Sequence, residues 1–438
     1  MGLFDTVQEI TGGAFRVAQA GVVLGEELLT LLRKDIPFES AEAARLTRKS
    51  FERLGAAYIK LGQLIASAPG LFPEPWVKEM QACLDQVNPV PFKTIEKVLH
   101  NEFQGREKDI FKEIDPNPMA SASIAQVHAA TLAHGEDVVI KIQRPGIETT
   151  LNADLNLMYV AAWLFEKLVP GAARASLTDI VKEFHRTILE ETDFYKEAGH
   201  IEEFREYLRQ IGQTQVVAPR VYHEASTKKV LTMERLYGVP LTDLEAIRTR
   251  VSDPEETLVT ALNTWFQSIV FSGFFHADVH AGNLMVLNDG RIAFIDFGIV
   301  GRMDDTIWAA LIGLMESMAT EDYKLMAKSL IQMNATDKNI NEDKFAAELK
   351  SLFEGLTQAG EAFLEGEMLD EDKLNQLFID MMEIARQNGL RFPREFALLF
   401  KQMLYFDRYT RLLAPGLNIA TSDKIQRTPM LDSGSLQN

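Results

Sequence analysis

A single cysteine, Cys83, stands in 438 residues. That excludes an intrachain disulfide framework and any multi-cysteine metal site. Met80, Ala82 and Leu84 give it an apolar helical setting, so a buried, inert thiol is expected rather than a nucleophile. Basic residues are also scarce, 45 against 63 acidic, for a net charge of −18. Nucleic-acid binding needs a basic surface to displace counterions, and this chain does not supply one. No basic segment precedes an apolar one at the N-terminus, so no secretory signal is expected. Met1-Gly2-Leu3-Phe4-Asp5-Thr6 satisfies the N-myristoylation pattern, which is loose enough to match often by chance. An unbroken membrane-length apolar run is missing too. The longest stretch without Asp, Glu, Lys or Arg, from Thr257 to Ala277, is interrupted by Thr260, Asn263, Gln267, Ser268, Ser272 and His276. Asp278 follows at once, so a buried helix is expected there. The reading is a cytoplasmic protein without a transmembrane segment, any membrane contact being peripheral.

What is present is ordinary globular sequence, 46% apolar and 25% charged. The length suits two or three domains, or one bilobal unit with an extension. Helical patterns run from Gly25 to Lys34, Ser40 to Leu71 and Trp76 to Gln86, with Pro69, Pro73 and Pro75 as breaks. From about Ile110 the texture turns strand-like. In Val138-Val139-Ile140-Lys141-Ile142-Gln143 alternate residues share a face, and Pro145-Gly146 ends the strand. A helical pattern returns from Asn152 to Tyr207, Lys229 to Arg235 is another strand, and the chain is mostly helical from Leu258. Residues 301–390 hold 18 acidic and 8 basic residues, which reads as a solvated acidic face. The polar tail from Thr421 is expected to fray.

One interruption carries chemistry. Leu284–Leu287 and Arg291–Ile295 flank Asn288-Asp289-Gly290, a hairpin turn signal. Before it stands His276-Ala277-Asp278-Val279-His280-Ala281-Gly282-Asn283, and after it Asp296-Phe297-Gly298. An Asp and an Asn five apart, a short hairpin, then Asp-Phe-Gly is the order of the catalytic and metal loops in kinase-like enzymes. Phosphoryl transfer needs Mg2+ to neutralise phosphate charge and a carboxylate to orient the attacking hydroxyl or water. Asn283 and Asp296 offer hard oxygen ligands for the metal, leaving Asp278 as the base. Upstream, Lys141 has the character of a strand lysine that pairs with ATP phosphates, and such a lysine needs a carboxylate partner. Glu191, Asp193 and Glu197 lie on the following helical stretch. Met233-Glu234-Arg235-Leu236 falls where a hinge would read adenine, although Met233 serves equally well as a core filler.

Two features depart from protein kinases. The glycine-rich phosphate loop is replaced by Ala120-Ser121-Ala122-Ser123-Ile124-Ala125-Gln126, which should be stiffer over a nucleotide because alanine lacks glycine's φ freedom. The segment after Gly298 is short and has no Ala-Pro-Glu, so no peptide-docking activation segment fits. His280 also stands where a lysine commonly follows the catalytic Asp by two. Asp278-x-His280-x-x-Asn283 looks closer to small-molecule phosphotransferases.

From roughly Ala43 to Ile419 the chain resembles the UbiB/AarF family of atypical kinase-like proteins. The matching residues are Lys60-Leu61-Gly62-Gln63, the alanine-rich loop, Lys141 with Gln143-Arg144-Pro145-Gly146, Glu191-Thr192-Asp193, Asp278 with Asn283, and Asp296-Phe297-Gly298. The resemblance implies an α+β, helix-rich, bilobal protein-kinase-like fold. Its parts would be an N-terminal helical extension over 1–100, an N-lobe with a helical insertion over 101–235, a C-lobe over 236–419 and a flexible tail over 420–438. It implies ATP and Mg2+ as cofactors, with Asp278 and Lys141 catalytic. The nucleotide would be held by Ala120, Ala122, Ser123, Lys141, Glu197, Met233, Glu234 and Leu236, and the metal by Asn283 and Asp296. The helix bearing Lys60 and Gln63 would fold over the nucleotide site, with both residues facing Glu191 and Asp193, and exclude a protein substrate. That leaves Glu197 as the favoured partner of Lys141, with Glu191 still open. The implied role is in ubiquinone, other prenyl-quinone or lipid biosynthesis, with a quinone precursor, a lipid or quinone-biosynthesis proteins as partners. A protein kinase and a nucleotide-gated scaffold with vestigial chemistry are the rival readings. Family members often carry C-terminal transmembrane helices; no such span is expected from this sequence, which argues against integral membrane anchoring. The best peripheral anchor is Phe15 to Leu32, but its charges are only Arg16, Glu26 and Glu27, without the basic face of an interfacial helix. A helix packed on the core is the favoured reading of that segment.

Overall fold

The computed structural model describes residues 3–37, 39–66, 73–83, 88–168, 177–280, 282–303, 305–333, 340–350, 394–417, 422 and 424–425. The end of the helix expected to reach Leu71, the acidic stretch beyond 350 and nearly all of the tail lie outside these residues. The chain divides into two compact units, 1–203 with 219–236, and 204–218 with 237–438. Residues 204–218, which a cut at 235 places with the first unit, belong to the second.

The first unit begins with α1 (Leu3–Arg33), α2 (Ala41–Leu54), α3 (Ala56–Ala66) and α4 (Glu74–Met80). The helical run expected from Ser40 is broken at Gly55, whose φ of 88° suits only glycine. Ser40 caps α2 by accepting the Ala43 N–H. Ala20 and Val23 of α1 join Phe51, Leu54, Ala57 and Met80 in one core, while Val17, Val22 and Leu29 stay exposed. After α5 (Phe92–Glu102) and α6 (Glu107–Ile110) come β1 (Phe111–Ser121), β2 (Ala125–Leu132) and β3 (Asp137–Gln143). Then follow α7 (Ile147–Leu168), α8 (Leu177–Glu190) and α9 (Phe194–Gln210), the last crossing into the second unit. Arg16 of α1 makes a two-pronged bond to Asp154 of α7 at 2.8 and 2.9 Å, pinning the first helix to the seventh.

Beyond β4 (Val216–Val217), β5 (Val230–Glu234) completes an antiparallel sheet in the order β1-β2-β3-β5. Val138, Ile140 and Ile142 of β3 are all fully buried with Ile95 and Leu99 of α5, as the alternation requires. Pro116 and Pro118 sit in β1, an edge strand, at a stretch where its register with β2 is irregular.

The second unit contains β6 (Gly238–Pro240), α10 (Leu244–Arg248) and α11 (Pro254–Ser272). Next come β7 (Phe274–His276), β8 (Leu284–Leu287), β9 (Ile292–Phe294) and β10 (Val300–Arg302). Helices α12 (Asp305–Thr320), α13 (Tyr323–Gln332) and α14 (Arg394–Leu413) follow. The uncharged stretch from Thr257 is helix α11 as far as Ser272 and strand β7 beyond Gly273; the helix is capped by Asp253 and packs Leu258, Leu262, Trp265 and Ile269 inward while Phe271 stays exposed. Among the described residues no helix is long and apolar enough to cross a membrane. The Asn288-Asp289-Gly290 turn closes an antiparallel β8–β9 hairpin, and β10 pairs with β7.

Candidate functional site

Within the first unit the alternation of β3 puts Lys141 on the face opposite Ile140 and Ile142, half-buried. Both Glu197 oxygens take its ammonium, at 2.8 and 2.9 Å. Glu197 is only 3% exposed on the first turn of α9. The Phe194 ring lies 5.4 Å from the same ammonium. A buried carboxylate stays ionised only with such a partner, so the pair presets a cation at a fixed place. Lys60 on α3 pairs instead with Glu191 at 2.9 Å. Asp193 starts α9, accepting the Tyr195 N–H at 3.1 Å. Gln63 lies half-buried on α3. Gln143, two residues beyond Lys141, donates to the Thr192 carbonyl. The two ion pairs are thereby tied together through β3 and the Glu191-Thr192-Asp193 turn.

The alanine-rich segment forms the β1–β2 hairpin. Ala120 is exposed opposite Val127, the Ala122 N–H donates to the Ala125 carbonyl at 2.9 Å, and Ser123 is buried. None of these residues takes a positive φ. Arg144 holds the hairpin in place, bonding the Ala122 carbonyl at 2.9 Å, the Ser121 hydroxyl at 2.8 Å and the Asn88 carbonyl at 3.0 Å. Met233 is buried on β5 opposite Val139. Glu234 accepts the Arg220 N–H through its side chain at 3.1 Å, and Leu236 is half-buried just past the strand.

In the second unit the loop from Ala277 to Asn283 leaves β7 and enters β8. Asn283 is 5% exposed and donates through Nδ2 to the Asp278 carbonyl at 2.9 Å. Its Oδ1 is thus the oxygen left for a metal. Asp296 follows β9 and accepts the Gly298 N–H at 3.0 Å through Oδ1. His276 is fully buried, and burial drives its imidazole down to about 4, against the opposing pull of Asp278 and Asp296. Its Nδ1 accepts the Asp278 N–H at 3.1 Å, and its carbonyl accepts the Trp265 indole N–H at 2.8 Å. A neutral His276 therefore shapes the loop without adding charge to it.

Three further side chains reach this loop that sequence reasoning missed. Lys401 sets Nζ 3.0 Å from Asp278 Oδ1. Gln402, fully buried, accepts the Val279 N–H at 2.9 Å and donates to the Ala277 carbonyl at 2.7 Å. Tyr409 donates to the Val279 carbonyl at 2.8 Å. The only available signal was a Lys-Gln pair set within the apolar run of α14.

Residues 82–330 match the family model of the ABC1 atypical kinase-like domain. A chloroplastic aarF domain-containing protein of Arabidopsis thaliana, described as an uncharacterized protein kinase, is 52% identical over 395 residues, 86% of this chain and 73% of that one. A probable protein kinase UbiB of Azotobacter vinelandii is 30% identical over 390 residues, 88% of this chain and 71% of its own. Among solved structures, the Rv3197–erythromycin complex from Mycobacterium tuberculosis aligns at a TM-score of 0.46 with 24% identity, covering 82% of this chain and 91% of that one.

Proposed function

Because the chain belongs to the UbiB/AarF family of ABC1 atypical kinase-like proteins, we propose that it binds Mg-ATP and transfers or hydrolyses the γ-phosphate. The observation that carries this reading is Lys141 held by both oxygens of the buried Glu197. A preset buried cation on a strand suits phosphate oxygens and has no evident use in packing. In the second unit, Asp278 is the base. It takes the proton from the attacking hydroxyl or water as the new oxygen–phosphorus bond forms and the bond to the β–γ bridging oxygen breaks, leaving ADP. With water the other product is inorganic phosphate.

The oxygen donors present fit magnesium. Among the described residues no cluster of three or more His, Cys, Asp or Glu gathers to hold a metal. Mg2+ does not need one, since it takes one or two protein oxygens together with phosphate oxygens and water. Asp296 and Asn283 would hold it, and it would supply charge neutralisation at the phosphates. The Lys60–Glu191 pair favours a small acceptor or water over a polypeptide, because it holds α3 against the turn that leads into the Glu197 helix. The biological setting we infer is prenyl-quinone or lipid biosynthesis, reached peripherally if a membrane is involved.

Thermal-shift titration with Mg-ATP tests the assignment. Wild type should be stabilised by the nucleotide, whereas Asp296→Asn and Lys141→Met should lose that stabilisation. An unchanged shift in Asp296→Asn would sink the metal assignment. Phosphorylation of generic protein substrates at the ~1–100 s⁻¹ of ordinary kinases would move the reading to a protein kinase.

A further inference from the structure

The carboxylate of Asp278 is held from a helix more than a hundred residues downstream. His280, two residues after it, keeps Nε2 3.6 Å from Asp278 Oδ2 and uses Nδ1 to accept the Gly282 N–H at 2.9 Å. The close cation is Lys401, 3.0 Å from Oδ1 and three-quarters shielded from solvent. Its register on α14 is fixed by its neighbour. A fully buried glutamine bonded to the loop through both ends of its amide cannot shift without leaving buried polar groups unpaired. Tyr409, two turns further along, grips the same loop at the Val279 carbonyl. Gln402 and Tyr409 together take up the Ala277 carbonyl and both backbone groups of Val279, and between those residues Lys401 meets the Asp278 side chain.

We propose that Lys401 is a positioning residue for the catalytic base. Its ammonium fixes Asp278 Oδ1 and with it the orientation of the carboxylate toward the reacting oxygen. Lys401 thereby supplies from α14 what a lysine two residues after the base would supply from the loop itself. It neither gains nor loses a proton in the step. The inference rests on the Mg-ATP reading above. Magnitude supports it: displacing a reacting group by about 1 Å can cost on the order of a hundredfold in rate.

The test uses the full chain, with ATP hydrolysis and the Mg-ATP-induced melting shift as readouts. Lys401→Met should lower kcat by about tenfold or more while KM for Mg-ATP and the melting shift stay within about twofold. Lys401→Arg should recover activity to within about threefold of wild type. Added to Asp278→Asn, Lys401→Met should cost less than about twofold further, because it acts through the carboxylate already removed. The proposal is overturned by an active Lys401→Met protein, by a loss that appears in KM rather than kcat, or by an additive loss in the double variant. Should Lys401→Met fail to fold, Lys401→Gln takes its place under the same criteria. Wild type that shows neither ATP turnover nor a Mg-ATP-induced melting shift would remove the Mg-ATP reading and this inference with it; wild type that binds Mg-ATP without turnover, or active wild type with an indifferent Lys401, removes only the inference.

Discussion

Gly62 is glycine because Cys83 occupies the space a side chain would need. A Cβ there would fall 2.5 Å from the Cys83 sulfur and 3.3 Å from its Cβ, with the Met80 sulfur at 3.4 Å. Cysteine is too short to swing away, so the contact must strain the packing of α3. We expect Gly62→Ala to cost about 1–3 kcal/mol, the usual size of overpacking. Gly199 on α9 is the control, since a Cβ there meets nothing within 4 Å. Gly199→Ala should stabilise by roughly 0.5–1 kcal/mol through the helix and the unfolded chain. Urea denaturation of both variants decides it, and shifts of the same sign would refute the packing account. This contrast marks what a sequence can tell. Lys60 was readable as a polar residue on one helix face, and Asp278, Asn283 and Asp296 by their mutual spacing. The reason for Gly62 was not, because it lies in a neighbour just past the end of α4, remote from Gly62 in sequence. Cys83 itself was legible: it is 5% exposed, and burial pushes its thiol up to about 11, which leaves it unreactive.

At the scale of elements, the hairpin and α14 teach opposite lessons. Stiffness of the alanine-rich loop was expected from alanine's limited φ range. The hairpin uses no positive φ, so replacing alanine by glycine adds freedom without meeting any structural need. The stiffness comes equally from Arg144, which spends three hydrogen bonds on residues 88, 121 and 122. At about 0.5–1.5 kcal/mol for each such bond, their loss should outweigh the freedom gained from one glycine. Arg144→Ala is therefore expected to weaken Mg-ADP binding by about tenfold and Ala122→Gly by less, measured by calorimetric titration. Unchanged affinity in Arg144→Ala would mean that the hairpin does not touch the nucleotide. Strand β3 was legible because its alternation is local and decisive. The run from Ser40 was overextended because a glycine inside an apolar helical pattern reads as tolerated until its φ is known. Helix α14 was legible as a helix and silent as part of the site, since a Lys-Gln pair on a helix ordinarily faces water.

For the whole molecule the sharpest consequence is its response to acid. His276 is held neutral by burial, with its folded value near 4 against an ordinary value of about 6.5. His128 is also depressed by burial, packed against Phe92 and bonded through Nδ1 to the Asp115 carbonyl at 2.8 Å. Between those limits the unfolded chain binds protons that the folded chain refuses. Stability should therefore be full above about pH 6.5 and fall as pH drops toward 4, by about 3 kcal/mol for His276 alone. The overall charge works the other way. At −18 near neutrality and with a pI near 5.0, the chain loses self-repulsion as it is acidified. That repulsion is spread over 24,410 Å² of surface and screened within about 8 Å at physiological salt, so it governs solubility more than stability. The buried imidazoles should win. The urea midpoint is expected to fall between pH 6.5 and 5 at constant ionic strength, and His128→Gln should make that fall shallower. A midpoint that holds or rises across this range in wild type would mean that charge repulsion, rather than the two histidines, sets the acid response.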